Sequence, residues 1–315
     1  MNIFPPRGKT TQQVNLGGSM NRSITVGILW MLSLGVTASN AQSFAHLSSI
    51  LRQPYVSACG EVDETVTVGT SITRPEAVRR GQAWAKGRAV TASVLTYDQW
   101  VETIKPDCAD MLRERILLSF YDTTEYNSMI MQTLTGIPQS IFVMMAAKES
   151  LFGTNFLAQA GNNPFSLRYK KSLTNFLAPA GFLFSVDKTL IDGNWETREF
   201  VYLQFRDLTD AMAAFAWNLA QDQYLGAVRG QRIRSGLSFY RAHREELYKM
   251  ESMEKLSFIL EKFEQETQLA PSHMEPWSDY TEESLIEVIS KRYAEGHTQV
   301  DDYRAWLDRV KTKSY

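Results

Sequence analysis

The chain has 315 residues, of which 44% are hydrophobic and 22% are charged, and its formal net charge is −2 at pH 7. These proportions are close to those of average soluble globular proteins. The nearly balanced charge gives no overall attraction to nucleic acid or to an anionic surface. The length allows two domains, although length is only a weak guide to their number.

The first segment with a recognisable pattern begins at Met20. A short polar start with Arg22 precedes an apolar run from Ile24 to Val36, and small residues stand at Ser39 and Ala41. This is the order of a secretory signal peptide followed by its cleavage site.

We therefore expect translation to start at Met20, residues 1–41 to be a wrongly assigned extension plus a signal peptide, and the mature protein to begin at Gln42. A periplasmic or secreted location follows from this expectation. The alternative is an N-terminal membrane anchor, which needs about 20 apolar residues. Because the run is shorter and directly precedes the cleavage-like site, we expect no stable membrane span.

Export also bears on the two cysteines of the chain, Cys59 and Cys108. In an oxidising compartment such a pair persists as a disulfide, and two unpaired core cysteines are the alternative. A catalytic cysteine is less well supported, because no histidine other than His46 lies near either cysteine in the sequence. The four histidines show no metal-ligand spacing, so we predict neither a metal nor a cofactor.

Residues 42–135 are interpreted as an N-terminal helical extension. Their patterns indicate a short strand at Thr65–Val68 and amphipathic helices at Pro75–Lys86 and Tyr97–Phe120. Nothing in this segment points to chemistry.

Residues 137–153 are typical of a helix that carries one carboxylate on an apolar stripe. Pro138 suits its first turn and Gly153 suits its end. Five residues between these ends recur at helical spacing: Ile141, Phe142, Met145, Glu149 and Phe152. A carboxylate on this stripe loses water, which favours its protonated form, and a protonated acid can donate to a leaving group. The alternative is a helix-terminal glutamate paired with an arginine.

From Ala178 to Phe205 the pattern changes from helical spacing to alternation. Phe182, Phe184 and Val186 alternate before a tight-turn pair, Asp192-Gly193, so we predict a β-hairpin. The chain is therefore predicted to be mainly α with a small β-hairpin lobe, an α+β fold. The helices predicted after the hairpin are Asp207–Gln221, Tyr224–Arg234, Phe239–Thr267, Glu282–Glu295 and Val300–Lys313.

The run KESLFGTNFLAQAGNNPFSLRY resembles the signature of a family of lysozyme-like peptidoglycan hydrolases, the bacterial endo-β-N-acetylglucosaminidases, and in particular its Bax-like branch. The family pattern is Glu-Ser-Gly-Trp-Gly-Thr, followed after a short interval by Asn-Asn-Leu-Phe-Gly. The matching residues are Glu149, Ser150, Gly153, Thr154, Asn162, Asn163 and Phe165. In the other positions Leu151 stands for Gly, Phe152 for Trp, Pro164 for Leu and Ser166 for Gly.

Two further segments resemble the same family. In Gln204–Arg234 a phenylalanine ending a strand leads into a helix with an Asn-Leu pair, a tyrosine-containing turn and an Arg-x-x-Arg helix. The matching residues are Phe205, Asn218, Leu219, Tyr224, Arg229 and Arg232. Residues 284–311 resemble the closing helix pair of the family, with Tyr293, Gly296 and Tyr303 in the expected places. The resemblance implies that residues 136–315 form a lysozyme-like, glucosaminidase-like catalytic domain.

The resemblance also implies an activity, the hydrolysis of β-1,4 glycosidic bonds after N-acetylglucosamine in peptidoglycan, with Glu149 as the general acid. The family places its second acid on the hairpin. The interval from Glu149 favours Asp187 over Glu196 and Glu199, and a solvated strand residue is the alternative for Asp187. Tyr224 corresponds to a tyrosine near the cleaved bond, with core packing as its alternative.

Other motif residues are assigned to substrate binding. The amides of Asn162 and Asn163 suit an N-acetyl group, Phe152 and Phe165 would line a sugar-stacking face, and Ser150 is grouped with them. The alternative for this set is an asparagine-stabilised turn on a small apolar cluster.

Two other functions stay open from the sequence. The first is a lytic transglycosylase of the same fold, which needs an acid but no activated water. The second is a catalytically idle protein that only binds peptidoglycan. In each case the expected partner is the glycan strand of peptidoglycan.

Overall fold

The computed structural model describes residues 70–72, 106–191, 194–271, 281–292 and 300–313. All of them belong to one compact unit, Asn40–Tyr315, and the other unit, Met1–Ser39, lies outside the described residues. Several predictions also fall outside them and stay predictions: the signal peptide, the strand Thr65–Val68, the helix Pro75–Lys86, the Cys59–Cys108 bond, and the placing of Tyr293 and Gly296.

The described part of the chain is mainly helical, with one small antiparallel sheet. In chain order its elements are β1 (Thr70–Ile72), α1 (Pro106–Thr135), α2 (Gln139–Ser150), α3 (Phe156–Gly161), α4 (Lys171–Phe176), β2 (Gly181–Ile191), β3 (Asn194–Gln204), α5 (Leu208–Leu219), α6 (Asp222–Leu247), α7 (Ser252–Thr267), α8 (Glu282–Arg292) and α9 (Val300–Lys311). The predicted α+β class is confirmed.

The sheet has the order β1-β2-β3. β2 and β3 form the predicted hairpin, with a register from Gly181 opposite Gln204 to Ile191 opposite Asn194. β1 adds a third strand, which starts two residues after the end of the predicted strand Thr65–Val68 and pairs Thr70–Ile72 with Phe182–Phe184 of β2.

Several predicted helix boundaries are wrong. The helix predicted over Tyr224–Arg234 does not end at Arg234 but continues to Leu247 within α6. The helix expected to end at Phe120 continues to Thr135, without a break, as α1. The single helix predicted over Phe239–Thr267 is two helices, because α6 ends at Leu247 and a capping box starts α7. In that box Glu254 accepts a 3.0 Å hydrogen bond from the backbone N–H of Glu251.

The core surrounds α2. All residues from Ile141 to Ala147 are buried, because α2 packs against α1, α8 and α9. The apolar surface of α2 is therefore wider than the predicted stripe. A helix that is apolar on every side is typical of a core. The core is continuous with α1, whose Phe120 ring meets the Phe152 ring edge-on at a centroid distance of 5.3 Å.

Candidate active site

Glu149 is the penultimate residue of α2, and its side chain keeps 23% of its surface exposed. The Nζ atom of Lys148 lies 3.2 Å from Glu149 Oε1. This carboxylate, which the sequence predicted to be buried, is thus only partly buried. Its charged partner is the neighbouring lysine, not the arginine that the structural alternative expected.

The chain after α2 turns through three consecutive residues in the left-handed region. Their φ angles are 48° at Leu151, 55° at Phe152 and 80° at Gly153. A non-glycine residue in this region carries a steric cost of about 1–2 kcal/mol. The surrounding structure must therefore hold this turn in place.

Positive φ recurs where the glucosaminidase pattern has glycine. The pattern places glycine at the positions of Leu151, Gly153 and Ser166, and the φ angle of Ser166 is 50°. All three positions thus have the backbone conformation that glycine adopts most easily, although two of them hold other residues.

Side chains of the loop hold the end of α2. Asn155 donates from Nδ2 to the Glu149 carbonyl at 2.9 Å, and Ser166 donates from Oγ to the same carbonyl at 3.4 Å. Ser150 is buried, donates to the Ala146 carbonyl and accepts from the Gly153 N–H at 2.7 Å. These bonds supply partners to backbone groups that a helix end leaves unpaired.

The two phenylalanines assigned to sugar stacking lie in the core. Phe152 is 1% exposed, and its ring lies 5.5 Å from the Trp306 ring on α9. Phe165 is fully buried and stacks on Phe215 at 4.7 Å. Neither ring presents a face to a sugar, which corrects the expectation. Ser150 is equally inaccessible, because its hydroxyl is engaged in the turn.

The two asparagines join α3 to the end of the hairpin. Asn163 is buried and donates to the carbonyls of Leu167 and Leu203 at 3.0 and 2.8 Å. Asn162 donates to the carbonyls of Phe205 and Arg206 at 3.2 and 3.1 Å. Asn163 therefore matches the alternative of an asparagine-stabilised turn. Asn162 keeps one buried acceptor, Oδ1, with no hydrogen-bond partner in the described part of the chain.

The backbone alone is described for the other two catalytic candidates. Asp187 lies opposite Arg198 in the hairpin register, while Glu196 lies opposite Thr189 and Glu199 opposite Val186. Tyr224 lies in the first turn of α6, just before the non-helical Gly226. Their side chains lie outside the described part of the structure, so their catalytic roles stay predictions.

The sequence did not reveal a buried group of charges around the start of α5. The carboxylate of Asp210 is fully buried and accepts hydrogen bonds from Tyr240 Oη at 2.8 Å and from Arg244 Nε at 2.8 Å. Arg206 adds a bond from Nε to Asp210 at 3.2 Å. These contacts tie α5 to α6.

Asp207 caps α5 within this group. It accepts a hydrogen bond from the Asp210 N–H at 2.8 Å, and Lys255 Nζ of α7 lies 3.8 Å from its carboxylate. Burial and the charge of Asp210 raise the pKa of Asp207 from 3.8 to about 6. The helix predicted to start at Asp207 is confirmed to within one residue, since Asp207 is the N-cap of α5.

Within the described residues no helix is long and apolar enough to cross a membrane. The same residues contain no group of three or more histidine, cysteine, aspartate or glutamate side chains arranged to hold a metal ion.

No protein-family profile and no curated protein sequence matches the chain. Among solved structures it resembles the catalytic domain of the autolysin Auto from Listeria monocytogenes, at 12% identity and a TM-score of 0.37, over 77% of this chain and 97% of that one. It also resembles a C-terminally truncated glycoside hydrolase domain of FlgJ from Salmonella typhimurium, at 11% identity and a TM-score of 0.30, over 61% of this chain and 96% of that one.

Proposed function

We propose that this protein is an exported peptidoglycan hydrolase that cleaves β-1,4 glycosidic bonds after N-acetylglucosamine, with Glu149 as its general acid. The observation that carries the proposal is the turn after α2. The positions at which the glucosaminidase pattern has glycine all have positive φ, at 48°, 80° and 50° for Leu151, Gly153 and Ser166. Glycine takes positive φ without steric cost, so the pattern and this backbone are compatible at all three positions; Phe152 and Asn162, where the pattern has no glycine, also have positive φ.

The difference in burial between Glu149 and the other motif residues supports the same role. Ser150 is buried and holds the turn through its hydroxyl, and Asn163 and Phe165 are buried in contacts of their own, whereas the carboxylate of Glu149 reaches solvent. A rigid turn that presents one acid is the arrangement that general acid catalysis requires, because the proton donor must meet the leaving oxygen in a fixed geometry.

In the proposed reaction Glu149 gives its proton to the glycosidic oxygen as the bond to the anomeric carbon breaks. A water molecule adds its hydroxyl group to that carbon. The proton that the water loses returns the two catalytic carboxyl groups to their starting protonation states. We assign Asp187 as the second carboxylate and Tyr224 as a residue near the cleaved bond.

Replacing Glu149 with glutamine tests the proposal. Glutamine keeps the shape of the side chain but carries no titrating proton, so cell-wall hydrolysis should fall by about 10²–10⁴-fold. Glu287→Gln is a matched control, because Glu287 is exposed on α8 and pairs with Lys291 in its own helix. A Glu149→Gln protein that is folded and digests cell wall at the wild-type rate would exclude Glu149 as the acid.

A second candidate is a catalytically idle peptidoglycan-binding protein. It is suggested by the two positions at which Phe152 and Ser166 depart from the glucosaminidase pattern. Binding of purified glycan strands without any hydrolysis by the wild-type protein would establish this function. A lytic transglycosylase would instead release an anhydro sugar, which product analysis detects.

We also propose that the signal peptide Met20–Ala41 directs export to the periplasm or the medium and that Cys59 and Cys108 form a disulfide there. The N-terminal sequence and intact mass of the exported protein test both points. A mature chain that retains residues 1–19, or two free thiols, would contradict them.

A further inference from the structure

The contact between Lys148 and Glu149 is unusual for neighbours in a helix. Consecutive helical side chains point in directions about 100° apart and do not normally meet. Here Lys148 Nζ lies 3.2 Å from Glu149 Oε1, with the two side chains only 18% and 23% exposed. Some other part of the structure must therefore direct the lysine toward the carboxylate.

The C-terminal helix α9 supplies that constraint. The Nζ atom of Lys148 lies 4.9 Å from the ring centroid of Tyr303, which is fully buried on α9. A cation over an aromatic face is attracted by the negative face of the ring. The ammonium of Lys148 is thus held between the Tyr303 ring and the Glu149 carboxylate.

The same helix also contacts the turn that follows Glu149. Trp306 lies three residues after Tyr303 and packs on Phe152, with ring centroids 5.5 Å apart. Both Lys148, just before Glu149, and Phe152, in the turn after it, are therefore contacted by α9.

We propose that Lys148 is a positioning residue that fixes the Glu149 carboxyl group and stabilises the charge it acquires, with Tyr303 holding the lysine in place. This inference rests on the proposed function of Glu149. When Glu149 gives its proton to the leaving oxygen, the electron pair of its O–H bond stays on the carboxyl group. The ammonium of Lys148 stabilises that new negative charge, so the contact is stronger in the transition state than in the ground state.

An ordinary surface ion pair would behave differently. Exposed pairs contribute little to stability. A pair of this kind that takes no part in the reaction can be removed without a change in kcat. A positioning contact acts on turnover, so its loss lowers kcat and leaves KM nearly unchanged.

The test compares Lys148→Met with Lys262→Met in the full chain. Methionine keeps an apolar stem of similar length without the charge. Lys262 is a matched control, because its Nζ also lies over a ring, that of Phe258 at 4.4 Å, on the distant α7. We expect Lys148→Met to lower kcat about tenfold and to leave KM within about twofold of the wild-type value. Lys148→Arg, which keeps the positive charge, should retain most of the wild-type kcat. Lys262→Met should match the wild type. An unchanged kcat in Lys148→Met would overturn the inference.

A second readout does not depend on activity. The ¹³C resonance of the Glu149 carboxyl group, assigned by its loss in Glu149→Gln, should move in Lys148→Met and stay in place in Lys262→Met. An unmoved resonance overturns the inference whatever the kinetics show. A wild-type protein that digests no cell wall overturns the proposed function, and the resonance then decides alone whether Lys148 positions Glu149.

Discussion

The side-chain amide of Asn155 donates a 2.9 Å hydrogen bond to the backbone carbonyl of Glu149. The Oδ1 atom of the same residue accepts a 2.9 Å bond from the Ala158 N–H and caps α3. One asparagine therefore joins the end of the helix that carries the candidate acid to the start of the next helix.

Replacing Asn155 with aspartate separates its two bonds. Aspartate still accepts from the Ala158 N–H, but it cannot donate to Glu149 and places a negative oxygen against the carbonyl. We expect the free energy of unfolding to fall by about 1–3 kcal/mol and hydrolysis to fall further than the folded fraction. Urea titration and cell-wall digestion measure the two effects. Asn175→Asp, at an exposed position of α4, should change neither, and wild-type stability in Asn155→Asp would show that the bond contributes nothing.

Leu151 should tolerate glycine unusually well. Its φ of 48° costs leucine about 1–2 kcal/mol, while glycine loses about 0.5–1 kcal/mol more backbone entropy on folding. Leu151→Gly should therefore leave the free energy of unfolding unchanged or raise it by up to about 1 kcal/mol. The comparison is Leu118→Gly on the exposed face of α1, which should lower it by about 1 kcal/mol. Equal destabilisation at both sites would refute the strain argument.

Asp207 should make stability depend on pH between about 4 and 6. The pKa of Asp207 is about 6 in the folded protein and 3.8 for an ordinary aspartate, so the folded state binds the proton more tightly. The contribution of Asp207 to the free energy of unfolding therefore falls as the pH rises through this window and is level above it. Urea titrations of wild type and Asp207→Asn at several pH values should diverge across the window, whereas Asp308→Asn, an exposed change on α9, should run parallel to wild type. Parallel curves for Asp207→Asn would contradict the assignment.

Three hairpin variants test the second carboxylate. Because its interval from Glu149 fits the glucosaminidase family, we expect Asp187→Asn to lower the hydrolysis rate more than Glu196→Gln or Glu199→Gln. A carboxyl separation from Glu149 of about 5–5.5 Å would give retention of configuration, and about 6.5–9.5 Å would give inversion. If all three variants keep full activity, Glu149 works without a second carboxylate on this hairpin.

The parts of the site that local chemistry determines were predictable. The end of α2 was predictable from Gly153, which lies three residues beyond Ser150, whereas nothing in the sequence indicated positive φ at Leu151 and Phe152. The hairpin followed from the alternation and the tight-turn pair Asp192-Gly193.

The parts that depend on distant residues were not predictable. Lys148 meets Tyr303 only because α9 packs on α2, and no spacing rule connects residues so far apart in the chain. The burial of Phe152 depends on Trp306 for the same reason. A local signal was available for α2, since Val143, Met144, Ala146 and Ala147 lie off the predicted stripe and are also apolar. They indicate a helix covered on every side.

The enclosure of α2 also determines how the protein can lose activity. Amide hydrogens exchange with solvent through local fraying, through partial opening of a cooperative segment or through complete unfolding. A helix covered by α1, α8 and α9 cannot open alone, so the amides of Val143 to Ala147 should exchange only when the whole core opens. Heat inactivation should then coincide with the cooperative melting of the domain. Glu149 would not be released by an earlier, separate loosening of the helix that carries it.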